Sequence, residues 1–384
     1  MTNKVDAAVV GAGVVGLAVA VQLRRAGVHR VAVLDAHPDA GMESSSRANG
    51  GVRAQFSTAV NIEFSRATID ELEALDRRSG GRVGLHRIGY LFLAGEQRVA
   101  AGLRRNYELQ HSLGLPVRWL EPGEVPALAP MIDTRGLLAA TICPTDGVVD
   151  PHGVIAALLE EGRGLGVEYL FDHQVAALEP RGQGLAVLAP GLHLVAGTVV
   201  NAAGARAAEV AALAGVQLPV LPYKRNLACT EPAPQVKGPM PMCVDLDTGV
   251  LVRREGEAIL IGYADPSDPP STETTFDPGF LEAVAARADN RFPFLLGIPI
   301  DERKCWAGLY PETPDHQAII DRAPGLDSFI QCVGFGGHGI MHSLAAGRAV
   351  GELVTRGVAT SFDIHPLRLS RFQEHQVEVE QTVL

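Results

Sequence analysis

One stretch near the start of the chain restricts the fold more than any other. Val5 to Asp35 reads VDAAVVGAGVVGLAVAVQLRRAGVHRVAVLD. The apolar run Ala7–Val10 has the character of a buried strand. It stops at Gly11, and Gly11, Ala12, Gly13, Val14, Val15 and Gly16 spell G-x-G-x-x-G. From Leu17 apolar Leu17, Val21 and Leu23 alternate with polar Gln22, Arg24 and Arg25, a helical pattern that Gly27 ends. Val31–Leu34 reads as a second strand with Asp35 at its tip. A tight turn at Gly11, close backbone approach at Gly13 and helix–strand packing at Gly16 are the demands of a dinucleotide pyrophosphate seated on a helix N-terminus. Asp35, 19 residues after Gly16, stands where a carboxylate accepts hydrogen bonds from an adenosine ribose. It argues against a 2′-phosphorylated cofactor but does not separate NAD from FAD.

Bulk properties narrow the class. At 384 residues the chain is long for one core and points to two domains. A hydrophobic content of 47% with 20% charged residues is that of a soluble globular protein. No apolar run reaches the roughly 20 residues that span a bilayer, and the short MTNK flank with no cleavage site argues against a signal peptide. The net charge of −11 makes nucleic acid or an anionic membrane a poor partner. Five scattered cysteines without a C-x-x-C pair read as reduced thiols in a cytoplasm, with no disulfide framework and no metal site.

Further along, HPDAGMESSSRANGGVRAQFS is a loop of small and polar residues, followed by a helix over NIEFSRATIDELEALDRRSG. Arg53 lies in that loop between glycines and Phe56, a setting that allows a ligand contact. Residues 83–93 read as strands with a turn at Gly89, and 96–114 as an amphipathic helix. Asp150 and Pro151 have the character of an N-cap and first helical residue. The strand ending at Val200 enters Asn201-Ala-Ala-Gly204, whose small residues leave room for a flat ligand at a sheet crevice. Residues 216–317 are proline-rich, with short strands at 226–230, 249–253 and 258–263 and a helix over 278–290, as in an antiparallel sheet of a separate lobe. Near the end a strand at 328–333 leads into Gly334-Phe-Gly-Gly-His-Gly339 and a helix from about Ile340 to Arg356. This second strand–glycine turn–helix unit suits a ring that acquires negative charge, as a reduced flavin does, better than a second phosphate. His338, flanked by glycines, is exposed to such a site. An NAD enzyme would leave this unit without a role.

The two glycine turns, the Asn-Ala-Ala-Gly turn and the proline-rich middle together resemble the D-amino-acid oxidase-like FAD-dependent oxidoreductases. The likeness is greatest to their sarcosine oxidase, glycine oxidase and dye-linked proline dehydrogenase branch. It rests on GAGVVGLAVA, SSRANGGVRAQF and GLYPETPDHQAIID…GFGGHGIM. The resemblance implies an α/β FAD-binding domain of Rossmann-like, glutathione-reductase type (residues 1–82, 145–215 and 318–384). It also implies an α+β substrate domain with a mixed, largely antiparallel sheet (83–144 and 216–317). By matching motif, Gly11, Gly13, Val14, Val15, Gly16, Asp35 and Ala36 would hold the ADP part of FAD. Ser45, Ser46, Arg47, Gly51, Val52 and Arg53 would lie along the pyrophosphate and flavin. Val175 would meet the adenine, and Ala203 and Gly204 the linker. Gly336, Gly337, His338, Gly339 and Ile340 would bind the pyrimidine edge. Tyr263, Tyr310, His338 and Arg53 would face the substrate.

Three departures from the family pattern carry expectations of their own. Gly308 stands where sarcosine oxidases have a cysteine that bonds the flavin, and Cys305 is out of register, so FAD is expected to be noncovalent. Ile259 replaces an oxygen-activating lysine, which favours a dehydrogenase over an oxidase. Met341 replaces a lysine that binds the substrate carboxylate, leaving Arg53, Lys224, Arg225 or Arg253 for that task. The expected reaction is oxidation of the C–N bond of an amino acid or N-alkyl amino acid by hydride transfer to flavin N5, giving an imine that water hydrolyses. The electron acceptor is oxygen, a quinone or a partner protein, and a homo- or hetero-oligomer stays open. So do a 2-hydroxy-acid dehydrogenase, which needs a histidine base such as His86 or His338, and a flavin-bearing subunit or assembly protein with little turnover.

Overall fold

The computed structural model describes residues 3–374 and 377–382. Two large sheets organise the chain. In the first, the strand Asn3–Val10 lies in parallel between Leu192–Asn201 and Val31–Leu34. Leu326–Val333 and Glu168–Leu170 extend the parallel array on either side. Ile319–Ala323 closes one edge in antiparallel fashion, and the strands Gly184–Ala189 and Ala177–Arg181 fold back along Leu192–Asn201. Val31–Leu34 is buried at every residue, as a parallel strand covered on both faces must be.

The glycine-rich turn follows its sequence reading closely. Gly11 has φ +107°, and a Cβ there would sit 2.5 Å from the Ala202 carbonyl oxygen. A Cβ on Gly16 would sit 1.9 Å from the Gly11 carbonyl oxygen, so the helix Val14–Arg25 cannot start this close to the strand with any other residue. This helix packs on Gly339–Arg356. At the crossing Gly347 approaches so closely that a Cβ would lie 2.8 Å from the Ala18 carbonyl oxygen. The two ends of the chain therefore share one apolar core, which includes Leu17, Val21, Leu344 and Val350.

The second sheet runs in the order Trp306–Glu312, Leu221–Cys229, Ala258–Tyr263, Leu251–Glu255, Met242–Asp245, Tyr90–Ala94, Ala139–Cys143, Arg118–Leu120. Its pairs are antiparallel except Met242–Asp245 with Tyr90–Ala94. The helix Gly279–Ala288 covers one face through Phe280, Val284 and Ala288, packed with Ile259 and Ile261. The strand expected from residue 226 begins at Leu221, and three strands, Arg118–Leu120, Met242–Asp245 and Trp306–Glu312, escaped sequence reading. The last carries Pro311, which cannot donate to a ladder. It is tolerated because Trp306–Glu312 is the edge strand. Among the described residues no helix is long and apolar enough to cross a membrane.

Candidate active site

Two clefts meet at Ser44 and Ser45. The first, about 1010 Å³, lies at the C-terminal ends of the parallel strands, where Val10, Leu34 and Ala202 give way to turns. Gly11, Gly13, Asp35, Ala36, Ser45, Val175, Ala203 and Gly204 line it. Asp35 is tied into the turn: one carboxylate oxygen accepts from the Ala12 amide at 2.6 Å, the other from the His37 amide at 2.9 Å. The oxygen that takes the His37 amide also lies 3.0 Å from the His37 ring Nδ1, while the one that takes Ala12 keeps a further lone pair for a ligand. The Ser45 hydroxyl accepts from the Val14 amide at 3.0 Å, capping the helix that starts there. The hydroxyl of Ser44 is buried with no partner among the described residues and sits on the wall of both clefts. Sequence reading passed over this serine although it belongs to the same Ser-Ser-Ser run.

The second cleft, about 790 Å³, opens between the two sheets. One wall is the loop Ser44–Gly51 with the glycine turn, contributed by Gly336, Gly337, Gly339 and Ile340. The other is the near face of the second sheet. Arg225 pairs with Gly308, Tyr223 with Tyr310, and Leu227 with Gly262, so Arg225, Leu227 and Tyr310 project from one face. Gly337 and Tyr310 close the cleft together: a Cβ on Gly337 would lie 2.5 Å from the tyrosine ring. Burial pushes the Tyr310 hydroxyl pKa up. Arg47 lines the cleft and crosses to the sheet, donating to the Ala307 carbonyl at 3.1 Å, while the Trp306 indole donates to the Arg47 carbonyl at 2.8 Å. The titratable side chains on this wall are Arg47, Arg225, Tyr263 and Tyr310, with no histidine or carboxylate among the described residues that line it.

Several residues singled out from sequence lie elsewhere. Arg53 is 1% exposed and lines neither cleft. It donates to the Gln55 carbonyl and, at 2.5 Å, to that of Thr382, and its guanidinium stacks 3.9 Å from the centre of the Phe56 ring. His338 sits behind the glycine turn, edge-on to Phe56 with ring centroids 4.8 Å apart and Nε2 3.5 Å from Arg53. Burial first, then Arg53, push its pKa well below the usual value, so the ring is neutral. The flanking glycines that made it look exposed face the cleft instead. Gly16, Val15, Ser46 and Val52 also line neither cleft.

Tyr263 reaches the rim of the second cleft, but it pairs with Asn226, one residue out of step with the Leu227–Gly262 row. Its ring packs in the apolar cluster on the helix side of the sheet, with the Arg287 guanidinium 4.5 Å above it. Ile259 lies on that same far face. The residue of this strand that packs with Leu227 on the cleft side is Leu260, fully buried. Met341 is buried in the core of the first unit. Cys305 lies outside both clefts, as do the other cysteines.

Of the four cations considered for an anionic substrate group, only Arg225 lines the second cleft. Arg53 is enclosed as described. Arg253 donates through Nε and Nη2 to the Asn49 carbonyl and pairs with Glu255 at 2.5 Å. Lys224 points to the opposite face of the strand from Arg225.

Residues 6–353 match the FAD dependent oxidoreductase family. Glycine oxidase of Geobacillus kaustophilus (strain HTA426) is 30% identical over 392 residues, 97% of this chain and 98% of that protein. FAD-dependent oxidoreductase domain-containing protein 1 of Xenopus laevis is 28% identical, over all of this chain and 85% of its own length. The solved structure of L-proline dehydrogenase from P. horikoshii superposes with a TM-score of 0.91 at 27% identity, covering 98% of this chain and 100% of the other.

Proposed function

The chain belongs to the D-amino-acid oxidase-like family of FAD-dependent oxidoreductases, and we propose that within it the protein oxidises the C–N bond of an amino acid or N-alkyl amino acid. FAD is the cofactor. The residues present suit it: glycines at the helix start, an acid with a free lone pair at the second strand tip, and a Ser44 hydroxyl, without a partner among the described residues, where the two clefts join. Gly11, Gly13, Asp35, Ala36, Val175, Ala203 and Gly204 would hold the ADP part, with Ser44 and Ser45 at the pyrophosphate. Gly336, Gly337, Gly339 and Ile340 would carry the ring. On this reading residues 1–82, 145–215 and 318–384 serve the cofactor, and 83–144 and 216–317 the substrate. With no cysteine on either cleft wall among the described residues, the attachment is noncovalent.

Bound FAD supplies a two-electron acceptor that takes a hydride from the substrate carbon. The chain's share is orientation. The observation that carries the reading is the composition of the second cleft: two guanidiniums, Arg47 and Arg225, two tyrosines at its edges, and no histidine or carboxylate among the described residues that line it. A substrate that binds as a neutral amine has already lost its proton and needs no base. A 2-hydroxy acid must lose a hydroxyl proton to some group. His338 is buried behind the turn, and His86 is an exposed residue, bridged to Val148, that is not among the residues lining the cleft. Arg225 would anchor the carboxylate, and Leu227 and Leu251 would contact the apolar part. Leu260, the residue of the strand Ala258–Tyr263 that packs with Leu227, is apolar and supplies no ammonium for oxygen activation, which favours an acceptor other than oxygen. The five free cysteines accord with a cytoplasmic setting.

The test is anaerobic: the holoenzyme is mixed with amino acids, N-methyl amino acids, cyclic imino acids and 2-hydroxy acids while the flavin absorption is followed. Bleaching by amines but not by hydroxy acids is expected. Bleaching by hydroxy acids alone, or by nothing in the panel, would sink the proposal. Reoxidation by oxygen against a quinone-like dye then separates oxidase from dehydrogenase.

A further inference from the structure

The Arg225 guanidinium is already held, and the way it is held has a consequence for substrate binding. Its Nη2 donates to Glu312 at 3.3 Å and its Nη1 to Asp268 at 3.3 Å. Its Nε–H is buried with no partner among the described residues. The two carboxylates differ. Glu312 belongs to the edge strand, its side chain is 6% exposed, and its second oxygen is 2.8 Å from His316. It is a fixed counter-ion. Asp268 belongs to the connection between Tyr263 and the helix at Gly279, and its side chain is 42% exposed. This connection starts at Ala264 in the lining of the second cleft. It touches the sheet through the Ser271 amide on the Pro222 carbonyl at 2.8 Å and Pro270 beside Tyr223. It reaches the opposite wall through Arg47, which donates to the Thr274 carbonyl at 3.4 Å.

With both Nη groups taken by carboxylates, an incoming carboxylate finds a forked partner only if one of the resident acids withdraws, and only Asp268, the exposed one, is placed to do so. We infer that Asp268 is an internal stand-in for the substrate carboxylate. It occupies Arg225 in the free enzyme and is displaced, with its loop, when a carboxylate-bearing substrate binds. The inference rests on Arg225 being the substrate anchor proposed above. It makes Asp268 a specificity-determining residue of an unusual sign: it lowers affinity for every carboxylate ligand and so sets a threshold that only a ligand filling the rest of the cleft overcomes. Burial raises the Asp268 pKa while Arg225, and after it Lys224, oppose that shift.

The experiment uses the holoenzyme and pyrrole-2-carboxylate, a planar carboxylate with no hydrogen on its α-carbon to lose. Its uncharged isostere pyrrole-2-carboxamide is the control. Binding is read as the shift of the flavin absorption band. In the wild type the carboxylate is expected to bind more tightly than the carboxamide. Asp268→Asn should tighten carboxylate binding about three- to tenfold and leave the carboxamide unchanged. Arg225→Met should weaken the carboxylate at least tenfold, and adding Asp268→Asn to it should gain nothing, because the two effects share one guanidinium. Arg225→Lys, which keeps a partner for buried Glu312, guards against a misfolded variant and should lie between. If Asp268→Asn leaves carboxylate affinity unchanged or weaker while Arg225 variants lose it, the stand-in is refuted and the anchor survives. If the Arg225 variants keep their flavin and bind the carboxylate as the wild type does, or if the wild type does not prefer it to the carboxamide, the anchor itself is wrong and the stand-in falls with it.

Discussion

Replacing Glu380 by alanine tests how the C-terminal segment is held and how Arg53 is kept from the cleft. The Glu380 side chain is buried, and its carboxylate accepts five hydrogen bonds. They come from the Ser57 amide (2.9 Å), the Ser57 hydroxyl (2.6 Å), the Thr382 amide (3.0 Å), the Thr58 hydroxyl (2.9 Å) and the Asn61 amide group (3.0 Å). Two residues on, the Thr382 carbonyl receives the Arg53 guanidinium. Truncation leaves Thr58 and Asn61 as buried donors without an acceptor, at about 1–3 kcal/mol each, so about 2–6 kcal/mol together. At about 2.1 cal/mol/K of unfolding entropy per residue, a chain of 384 residues loses about 2.5–7.5 °C in Tm for that change. Differential scanning calorimetry of the holoenzyme measures it.

The pH dependence supplies a second check on the same variant. Burial alone would raise the Glu380 pKa, but hydrogen bonds from Ser57 and Asn61 outweigh it and hold the carboxyl below its usual range. The stabilisation is therefore complete above the unfolded pKa of about 4.3. It is lost as pH falls through the lower folded value, where the wild-type and variant curves should converge. A Tm within about 1 °C of wild type at neutral pH, with unchanged hydrogen exchange at the Ser57 amide, would falsify the argument.

Other expectations follow from single contacts. Gly337→Ala drives a methyl group into the Tyr310 ring, at about 1–3 kcal/mol of overpacking. The purified variant should show native far-ultraviolet circular dichroism but a reduced ratio of flavin to protein absorbance. Arg371 and Asp315 form a bidentate pair, at 2.7 and 3.0 Å, with both side chains at most 1% exposed. Arg371→Met strands a buried carboxylate and should cost about 3–5 kcal/mol in denaturant unfolding. The hydrogen bond to Glu312 raises the His316 pKa. Its contribution is fully present below the unfolded value of about 6.5 and is lost as pH rises through the folded value. Wild type should therefore lose stability relative to His316→Gln across that rise, by a small amount because His316 is 36% exposed. Equal pH slopes would count against the pair.

The parts read correctly from sequence are local ones. Gly11 to Gly16 and Asp35 declare a strand, a turn and a helix start within a span where each residue's demand is set by its near neighbours. The Gly334–Gly339 turn does the same, and the two could be joined because both are open helix N-termini that suit negative charge. Residues that the structure places away from the clefts depart from the sequence reading for two reasons, the face on which a side chain emerges and the distant group that claims it. Tyr263 and Ile259 lie on a strand whose register to Asn226 and Leu227 turns them toward the helix Gly279–Ala288, and a shift of one residue would have reversed that. Arg53 sits in the expected loop, but the Thr382 carbonyl more than three hundred residues away claims its guanidinium.

The sequence by itself determined the cofactor and the family, because phosphate and ring binding use backbone groups whose geometry short glycine motifs encode. Only the tertiary structure decided which of the candidate cations lines the second cleft. Arg225 is one of four plausible cations in the chain, and nothing in its own neighbourhood marks it out. It reaches the cleft through the pairing of Leu221–Cys229 with Trp306–Glu312, and its two carboxylate partners come from segments 43 and 87 residues away. Electrostatic surroundings of that kind are sums over the folded chain and have no local signature.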